Sequence, residues 1–373
     1  MKYTLCITQQ CNLRCTYCYI GKKNVRMPFS IAEEIVDFMF NTTPAEEKIH
    51  FGFFGGEPLL EFELLRRITE MLKEHPAFQK ERVETTVVSN GTIFSKDIAD
   101  FIKIHDIGLC ISCDGPSFVQ DTFRRFSNGQ SSSAVVEKNL KSFVDVLPSV
   151  MVNAVYHPKT LQFIPETVKY FSDLGIRQLY LSPDFSASWS KGDAERLPEI
   201  YGAIAEQYMN NYLKGNPRFI SLIDSKIIVI MRGGYDPLER CRMGKGEFAF
   251  APSGNIYPCE RLIHDDSGEH CIGNIGSGLK IEKMSCKTAS VQNENSECIS
   301  CGLRSYCMNW CGCSNYFSTG YYDRVGPFLC ASERAAIQTA FQVFQTLEKE
   351  LGPTFVDHLA GRTVLPGKEV ERI

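Results

Sequence analysis

The chain has 373 residues, and its 40 Lys and Arg stand against 44 Asp and Glu for a net charge of −4. No basic block points to nucleic acid, and no run of about 18 or more apolar residues is present to span a membrane. The length suits one large domain and a smaller one, each with its own core. Residues 1–10 lack the charged flank and long apolar core of a signal peptide, so the chain is expected in the cytoplasm. There are sixteen cysteines. In a reducing compartment, thiols at short fixed spacings read as metal ligands rather than disulfides.

Short apolar runs alternate with helical patterns through the first 215 residues or so. The first strand is predicted over 3–7, and Cys11-Asn12-Leu13-Arg14-Cys15-Thr16-Tyr17-Cys18 follows it. The C-x3-C-x2-C spacing offers three thiolates, one fewer than a [4Fe-4S] cluster needs for full protein ligation. An iron without a protein ligand can bind a small molecule. A helix over 31–40 leads to a strand over 49–53 and then to Gly55-Gly56-Glu57-Pro58. The two glycines let backbone approach a ligand closely, and Glu57 adds a carboxylate. A helix over 62–73 precedes a strand over 83–88 and Ser89-Asn90-Gly91-Thr92. A helix over 96–105 precedes a strand over 107–112, ending in Ser112-Cys113-Asp114-Gly115. Helices over 134–146 and 163–174 lead to strands over 150–155 and 178–181. Cys6, Cys110 and Cys113 fall in apolar runs and read as small buried hydrophobes. Six such units imply an α/β fold of parallel strands with right-handed crossovers. The alternation fits a doubly wound sheet and a barrel equally well.

After residue 226 the pattern changes. Gly, Cys, Asn and Ser dominate from 233 to 322, a stretch unable to bury much apolar surface alone. Metal ligation is the usual substitute for a core there. The cysteines run Cys241-x12-Gly254-x4-Cys259, then Cys298-x2-Cys301-x5-Cys307-x3-Cys311, then Cys330. C-x2-C pairs often hold zinc, but seven thiolates exceed one zinc site and suit two clusters. Glu260 directly follows Cys259. A carboxylate beside a cluster can take a proton from a substrate cysteine; the other reading is a Glu260–Arg261 ion pair at the module surface. A last helix is predicted over 332–351, with a loose tail after 361.

The C-x3-C-x2-C loop and Gly55-Gly56-Glu57-Pro58 resemble the radical S-adenosylmethionine (SAM) superfamily. The seven-cysteine order, with Ile272-Gly273-Asn274-Ile275, resembles the SPASM signature found downstream of many such domains. The resemblance implies a partial (β/α)6 barrel over 1–225, a SPASM domain over 226–335, and a C-terminal helix and tail over 336–373. It implies three [4Fe-4S] clusters and SAM. Cys11, Cys15 and Cys18 would hold the SAM-binding cluster, and Glu57 the SAM amino group. Tyr17 would lie beside the adenine. Asn90, Ser112 and Arg124 would contact the ribose and carboxylate, Arg124 lying in a stretch similar to the family's His-Asp-x-x-Arg with Gln120 in place of the His. Cys298, Cys301, Cys307 and Cys330 would hold the outer auxiliary cluster; Cys241, Cys259 and Cys311 would hold the inner one. That inner set is one ligand short. Either Cys271, Cys286 or Cys313 completes it, or the iron is open to a substrate thiolate. Glu260 stands where sulfatase-maturing relatives carry a general base.

The implied activity is reductive SAM cleavage and modification of a ribosomal peptide, chiefly Cys-based thioether cross-linking. Sulfatase maturation to formylglycine is the alternative, and a non-enzymatic iron–sulfur carrier the third class. The implied partners are a precursor peptide or protein and an external donor of flavodoxin or ferredoxin type. The chain starts almost directly in the first strand, so a leader-gripping winged helix is expected to be absent. Either a separate leader-binding protein supplies it, or the barrel and SPASM module bind the precursor themselves.

Overall fold

The computed structural model describes residues 1–236, 241–280, 296–308 and 311–361. Strands and helices alternate as β1 (Lys2–Thr8), α1 (Phe29–Thr42), β2 (Ile49–Gly55), α2 (Phe62–Glu74), β3 (Val83–Ser89) and α3 (Lys96–Ile104). Next come β4 (Ile107–Ser112), α4 (Ser117–Phe123), α5 (Ser133–Val146), β5 (Met151–Tyr156), α6 (Ile164–Asp173) and β6 (Gln178–Pro183). Each predicted strand lies within one or two residues of the observed one.

β1 to β6 are all parallel and lie side by side in chain order. A doubly wound sheet reverses its strand order at a switch point; this one does not, so its right-handed crossovers put the helices on one face. The other face curls round a single cavity, to which Thr4, Gly52, Thr86, Ser112, Asn153 and Ser182 each contribute from a different strand. That is the partial barrel implied by the resemblance.

Side chains alternate in direction along a strand, and the two faces differ sharply here. Tyr3, Leu5, Phe51, Phe53, Val87 and Leu109 are buried in the main apolar core. The intervening row Thr4, Gly52, Thr86, Gly108 runs straight across four strands in register. Small residues in that row leave open the space that Val, Ile and Leu fill in a closed barrel.

The second half begins with α7 (Lys191–Glu195), α8 (Leu197–Leu213), β7 (Phe219–Ile220) and α9 (Ser221–Met231). Then β8 (Glu247–Phe250) pairs in parallel with the free edge of β1. β9 (Asn255–Tyr257), β10 (Gly273–Asn274) and β11 (Gly278–Leu279) extend it antiparallel. The cysteine-rich stretch is thus a continuation of the barrel sheet. Its small core shares Cys6 and Ile20 of the barrel with Tyr257, Leu262 and Cys259. α10 (Ser296–Ile299), α11 (Gly312–Thr319), α12 (Pro327–Leu351) and α13 (Pro353–Leu359) follow. α12 starts five residues earlier than predicted and carries Cys330 in its first turn. Among the described residues, no helix is long and apolar enough to cross a membrane.

α12 packs along α8 and α9. Glu333 on α12 pairs with Lys226 Nζ at 2.6 Å and also accepts from Met308 N at 2.8 Å. One carboxylate therefore ties α9, α12 and the segment after Cys307 together. Lys226 is only 4 % exposed, so its ammonium is stranded without Glu333. Glu333→Gln should lower the unfolding free energy by roughly 3 kcal/mol in urea denaturation, and Lys226→Met combined with Glu333→Leu should recover most of it.

Asp224, at the start of α9, accepts from Ile220 N at 2.6 Å and Tyr208 Oη at 2.7 Å. Burial pushes its carboxyl up to about 7, with those bonds opposing. A raised folded-state value means the group's contribution is complete below its unfolded value near 3.8 and is lost as pH rises through about 7. Asn can keep both bonds because Tyr208 can reverse its role. Urea denaturation of wild type and Asp224→Asn should therefore show the variant gaining relative stability from pH 4 to pH 7, by up to about 4 kcal/mol.

Candidate active site

The site is organised by a backbone contact. A Cβ on Gly55 would lie 2.2 Å from Thr8 O, and one on Gly56 would lie 2.0 Å from Gln10 O. Gly55 also has φ 145°, a region L side chains rarely adopt. Gly56 N donates to Thr8 O and Glu57 N to Gln10 O, both at 2.8 Å. The end of β2 is thereby laced to the residues that lead into the cysteine loop. Pro58 opens a short 3-10 turn that carries the chain into α2.

The loop has no regular structure and is held from outside. Arg14 N donates to Arg125 O at 2.8 Å, Thr16 N to Phe123 O at 3.1 Å, and Ser127 N to Asn12 O at 2.9 Å. Asn90 Nδ2 reaches Asn12 Oδ1 at 2.8 Å and the Cys11 sulfur at 3.6 Å. Leu13 N points at the same sulfur at 3.4 Å. Burial pushes the Cys15 thiol up to about 11, with Arg124 opposing. Every described cysteine is a free thiol, and Cys11, Cys15 and Cys18 all face the cavity of about 540 Å³. Three convergent thiols without a disulfide are the donor set that iron–sulfur chemistry requires, so the residues fit the implied cluster.

Gly55, Gly56, Tyr17, Asn90, Ser112 and Arg124 line the same cavity. Tyr17 donates its hydroxyl to Asp114, and the Arg124 guanidinium lies 5.3 Å from the centre of the Tyr17 ring. Arg124 Nε is 3.0 Å from Asp114 Oδ1, which also accepts from Val155 N at 2.9 Å. Gln120, in place of the family's His, accepts from Asp114 N at 2.8 Å through Oε1. Asp114 is thus the hub of this wall; it stands in the motif quoted after the fourth strand, but nothing in the sequence marked its role.

Glu57 is wholly buried. Its carboxylate accepts from Leu59 N at 3.0 Å, Ser89 Oγ at 3.0 Å and Asn90 N at 2.6 Å. Burial pushes it up to about 7, with those three bonds opposing. The cavity wall at this point is Gly55, Gly56, Ser89 and Asn90, the last two donating to Glu57.

Across the cavity stand Glu260 and Arg261, just after Cys259. The ion-pair partner of Glu260 is Lys2, at 3.1 Å, rather than Arg261. Lys2 also pairs with Glu247 at 2.7 Å. Burial opposes ionisation of Glu260, but Lys2 and Arg261 outweigh it and hold the group at about 2. Glu247, sharing the same lysine, is pushed up to about 7 by burial and by Glu260. Arg261 lies 4.7 Å from the Phe185 ring centre and 5.3 Å from that of Tyr19. No sequence signal links Lys2 or Glu247 to Glu260, since each is joined to it only by the pairing of β1 with β8.

Behind Glu260, Cys259, Cys311 and Cys313 gather. Cys259 and Cys313 sulfurs are 3.5 Å apart, and those of Cys311 and Cys313 are 3.6 Å apart. Cys241 hydrogen-bonds Cys311. Cys271 packs against the same small core, with its thiol donating to Gly273 O at 2.8 Å. Cys286 lies outside the described residues. In the outer set, Cys301 N donates to Cys298 O at 3.2 Å, and the Cys330 thiol feels those of Cys298 and Cys301. Cys307 follows a short 3-10 turn over Arg304–Tyr306.

Glu57→Ala should leave three buried donors without an acceptor and lower the unfolding free energy by about 3 kcal/mol or more. SAM affinity, read by calorimetry on the reconstituted protein, should fall with it as Asn90 shifts. Weakened SAM binding at unchanged stability would instead mean direct contact between the carboxylate and SAM.

The model of the Radical SAM superfamily matches residues 5–182, which run from β1 to β6. An uncharacterized protein of Methanocaldococcus jannaschii is 28% identical over 287 residues, covering 76% of this chain and 91% of that one. A cysteine-type anaerobic sulfatase-maturating enzyme of Clostridium novyi is 24% identical, covering 82% of this chain and 85% of that one. The fold is shared with native anSMEcpe solved with bound AdoMet and the Cp18Cys peptide: TM-score 0.77, 19% identity, covering 94% of this chain and 100% of that one. Streptococcus suis SuiB bound to its precursor peptide SuiA gives a TM-score of 0.60 at 17% identity, covering 88% of this chain and 75% of that one. With its three-thiol loop seated by Gly55 and Gly56 at the open end of a parallel partial barrel, the stretch over residues 5–182 matches the Radical SAM superfamily.

Proposed function

We propose that this radical SAM enzyme oxidises a cysteine-containing segment of a peptide or protein by two electrons, with a thioether cross-link as the product. The observation that carries the reading is the single cavity of about 540 Å³. Its wall runs from the three thiols of the loop to Glu260 and Arg261 beside Cys259. When bound, SAM and the three clusters supply a hydrogen-abstracting 5′-deoxyadenosyl radical and a route for the electron released. Cys11, Cys15 and Cys18 would hold the first cluster, and Tyr17, Gly55, Gly56, Asn90, Ser112 and Arg124 would seat SAM. Cys298, Cys301, Cys307 and Cys330 would hold the outer auxiliary cluster, with Cys241, Cys259 and Cys311 on the inner one. A flavodoxin or ferredoxin would deliver the starting electron.

Glu260 is the catalytic candidate that faces the substrate. Lys2 and Arg261 favour its ionised form, which offers an acceptor to a substrate thiol. A carboxylate held below its ordinary range by Lys2 and Arg261 is a weak base toward a thiol. Its role in this reading is therefore to orient the S–H, not to remove the proton in advance. Arg261, braced by Tyr19 and Phe185, presents a planar donor fork for a carboxylate or peptide carbonyl of the substrate.

The second reading is oxidation of a protein Cys or Ser to formylglycine. It is supported by the sulfatase-maturating relatives and by the full-length overlap with anSMEcpe. Both readings are tested by anaerobic incubation with SAM, a reductant and candidate substrates, followed by mass spectrometry. A peptide that loses two hydrogens and resists thiol alkylation supports the cross-link. An aldehyde formed with release of sulfide from Cys, or with loss of two hydrogens from Ser, supports formylglycine. SAM cleavage with neither change on any cysteine- or serine-bearing peptide would overturn both.

A further inference from the structure

We propose that Cys313 is the fourth thiolate of the inner auxiliary site, and that it closes that site against substrate. The inference rests on the reading of Cys241, Cys259 and Cys311 as ligands of an iron–sulfur cluster.

Cys313 is 3 % exposed and lies between two of those ligands, 3.5 Å from the Cys259 sulfur and 3.6 Å from that of Cys311. A disulfide needs about 2.05 Å, so these are neighbouring free thiols. The local chain explains the convergence. Cys311 is the N-cap of α11, and Cys313 is the second residue of that helix. Gly312 separates them, so the cap and first turn set the two sulfurs side by side, with that of Cys313 against Cys259. Ser314 Oγ donates to the Cys311 sulfur at 3.3 Å, which fixes the turn. The competing cysteine, Cys271, has its thiol committed to Gly273 O.

Four thiolates complete the ligation of a [4Fe-4S] cluster. A cluster so ligated has no iron left to bind a substrate sulfur. The substrate thiol then meets protein groups only, chiefly Glu260, whose carboxylate stands 3.8 Å from the Cys259 sulfur. In this arrangement the inner cluster carries electrons and does not position the nucleophile.

The test uses the full chain with Cys11→Ala, Cys15→Ala and Cys18→Ala, which isolates the auxiliary clusters. After anaerobic reconstitution this background should hold about eight irons. Adding Cys313→Ala should remove up to about four irons or yield the electron paramagnetic resonance signal of a three-iron cluster. Adding Cys271→Ala should leave about eight irons. Cys313→Ser keeps the size of the side chain and offers oxygen as ligand. It should retain iron with a shifted signal in the reduced state, and it decides the question if the Ala variant fails to fold. Titrating the background with 2-mercaptoethanol as a thiol probe should leave the spectrum unchanged. Full iron and unaltered spectra in both Cys313 variants, or a spectrum that moves with the probe, would overturn the proposal while leaving the enzymatic reading intact. A background without iron would overturn both.

Discussion

No Cβ fits between the backbone of Gly55–Gly56 and that of Thr8–Gln10, and the site is built on that contact. It sets the departure of the cysteine loop from β1 against the end of β2. Everything the loop presents follows from it: Asn12 meets Asn90, Cys11 receives the donors of Leu13 and Asn90, and Tyr17 comes under Arg124. Glu57 completes the arrangement from behind. Its three donors come from α2's entry turn and from the end of β3, so one carboxylate joins two neighbouring strand ends. Burial alone would neutralise it; the donors draw its titration back to about 7.

A second constraint joins the cysteine-rich half to the barrel. β8 pairs with β1, and this places Lys2 between Glu247 and Glu260. The two half-buried carboxylates share one ammonium, and Arg261 adds to the field at Glu260, so Glu260 is held low while burial and Glu260 push Glu247 up. Glu260 is the member that lines the cavity. Hydrogen bonds from Gln9 Nε2 and Gly21 N to His264 O add a second seam between the halves. The auxiliary thiols are therefore held in register with the cysteine loop by the sheet itself.

The alternation of strands and helices was legible because each strand is long enough to show its apolar pattern and the helices between them bury one stripe each; the barrel, rather than a doubly wound sheet, was implied by the resemblance. The helical stretches over 62–73 and 134–146 match Phe62–Glu74 and Ser133–Val146 closely. β9, β10 and β11 have two or three residues each, too short for any periodicity to register, and their pairing is set by tertiary contact. The cysteine positions were legible through spacing. Their completeness was not: Cys313 stood among three candidates, and only the turn at the start of α11 brings it beside Cys259. Glu57 and Glu260 were legible as residues, but their electrostatics were not. The partner of Glu260 is 258 residues away in the chain, and the donors to Glu57 are mostly backbone groups that a motif does not print.

The two oxidations considered for this cavity share their first half. A hydrogen atom leaves a carbon of the substrate, and a second electron and a proton must then depart. They diverge in what reaches the oxidised carbon. A substrate sulfur gives a thioether; water, with loss of sulfide, gives an aldehyde. With the inner site closed by Cys313, no metal pre-binds the sulfur, so the choice passes to the side chains and to the access of water. The inner row of Thr4, Gly52 and Thr86 lines the cavity with small side chains and leaves room there for water. Filling that space falls to the substrate, and Arg261 is placed to anchor it between Tyr19 and Phe185. A segment long enough to occupy the floor excludes water and leaves its own sulfur as the nearest nucleophile. The product is therefore decided less by the clusters than by how much of the cavity the peptide fills.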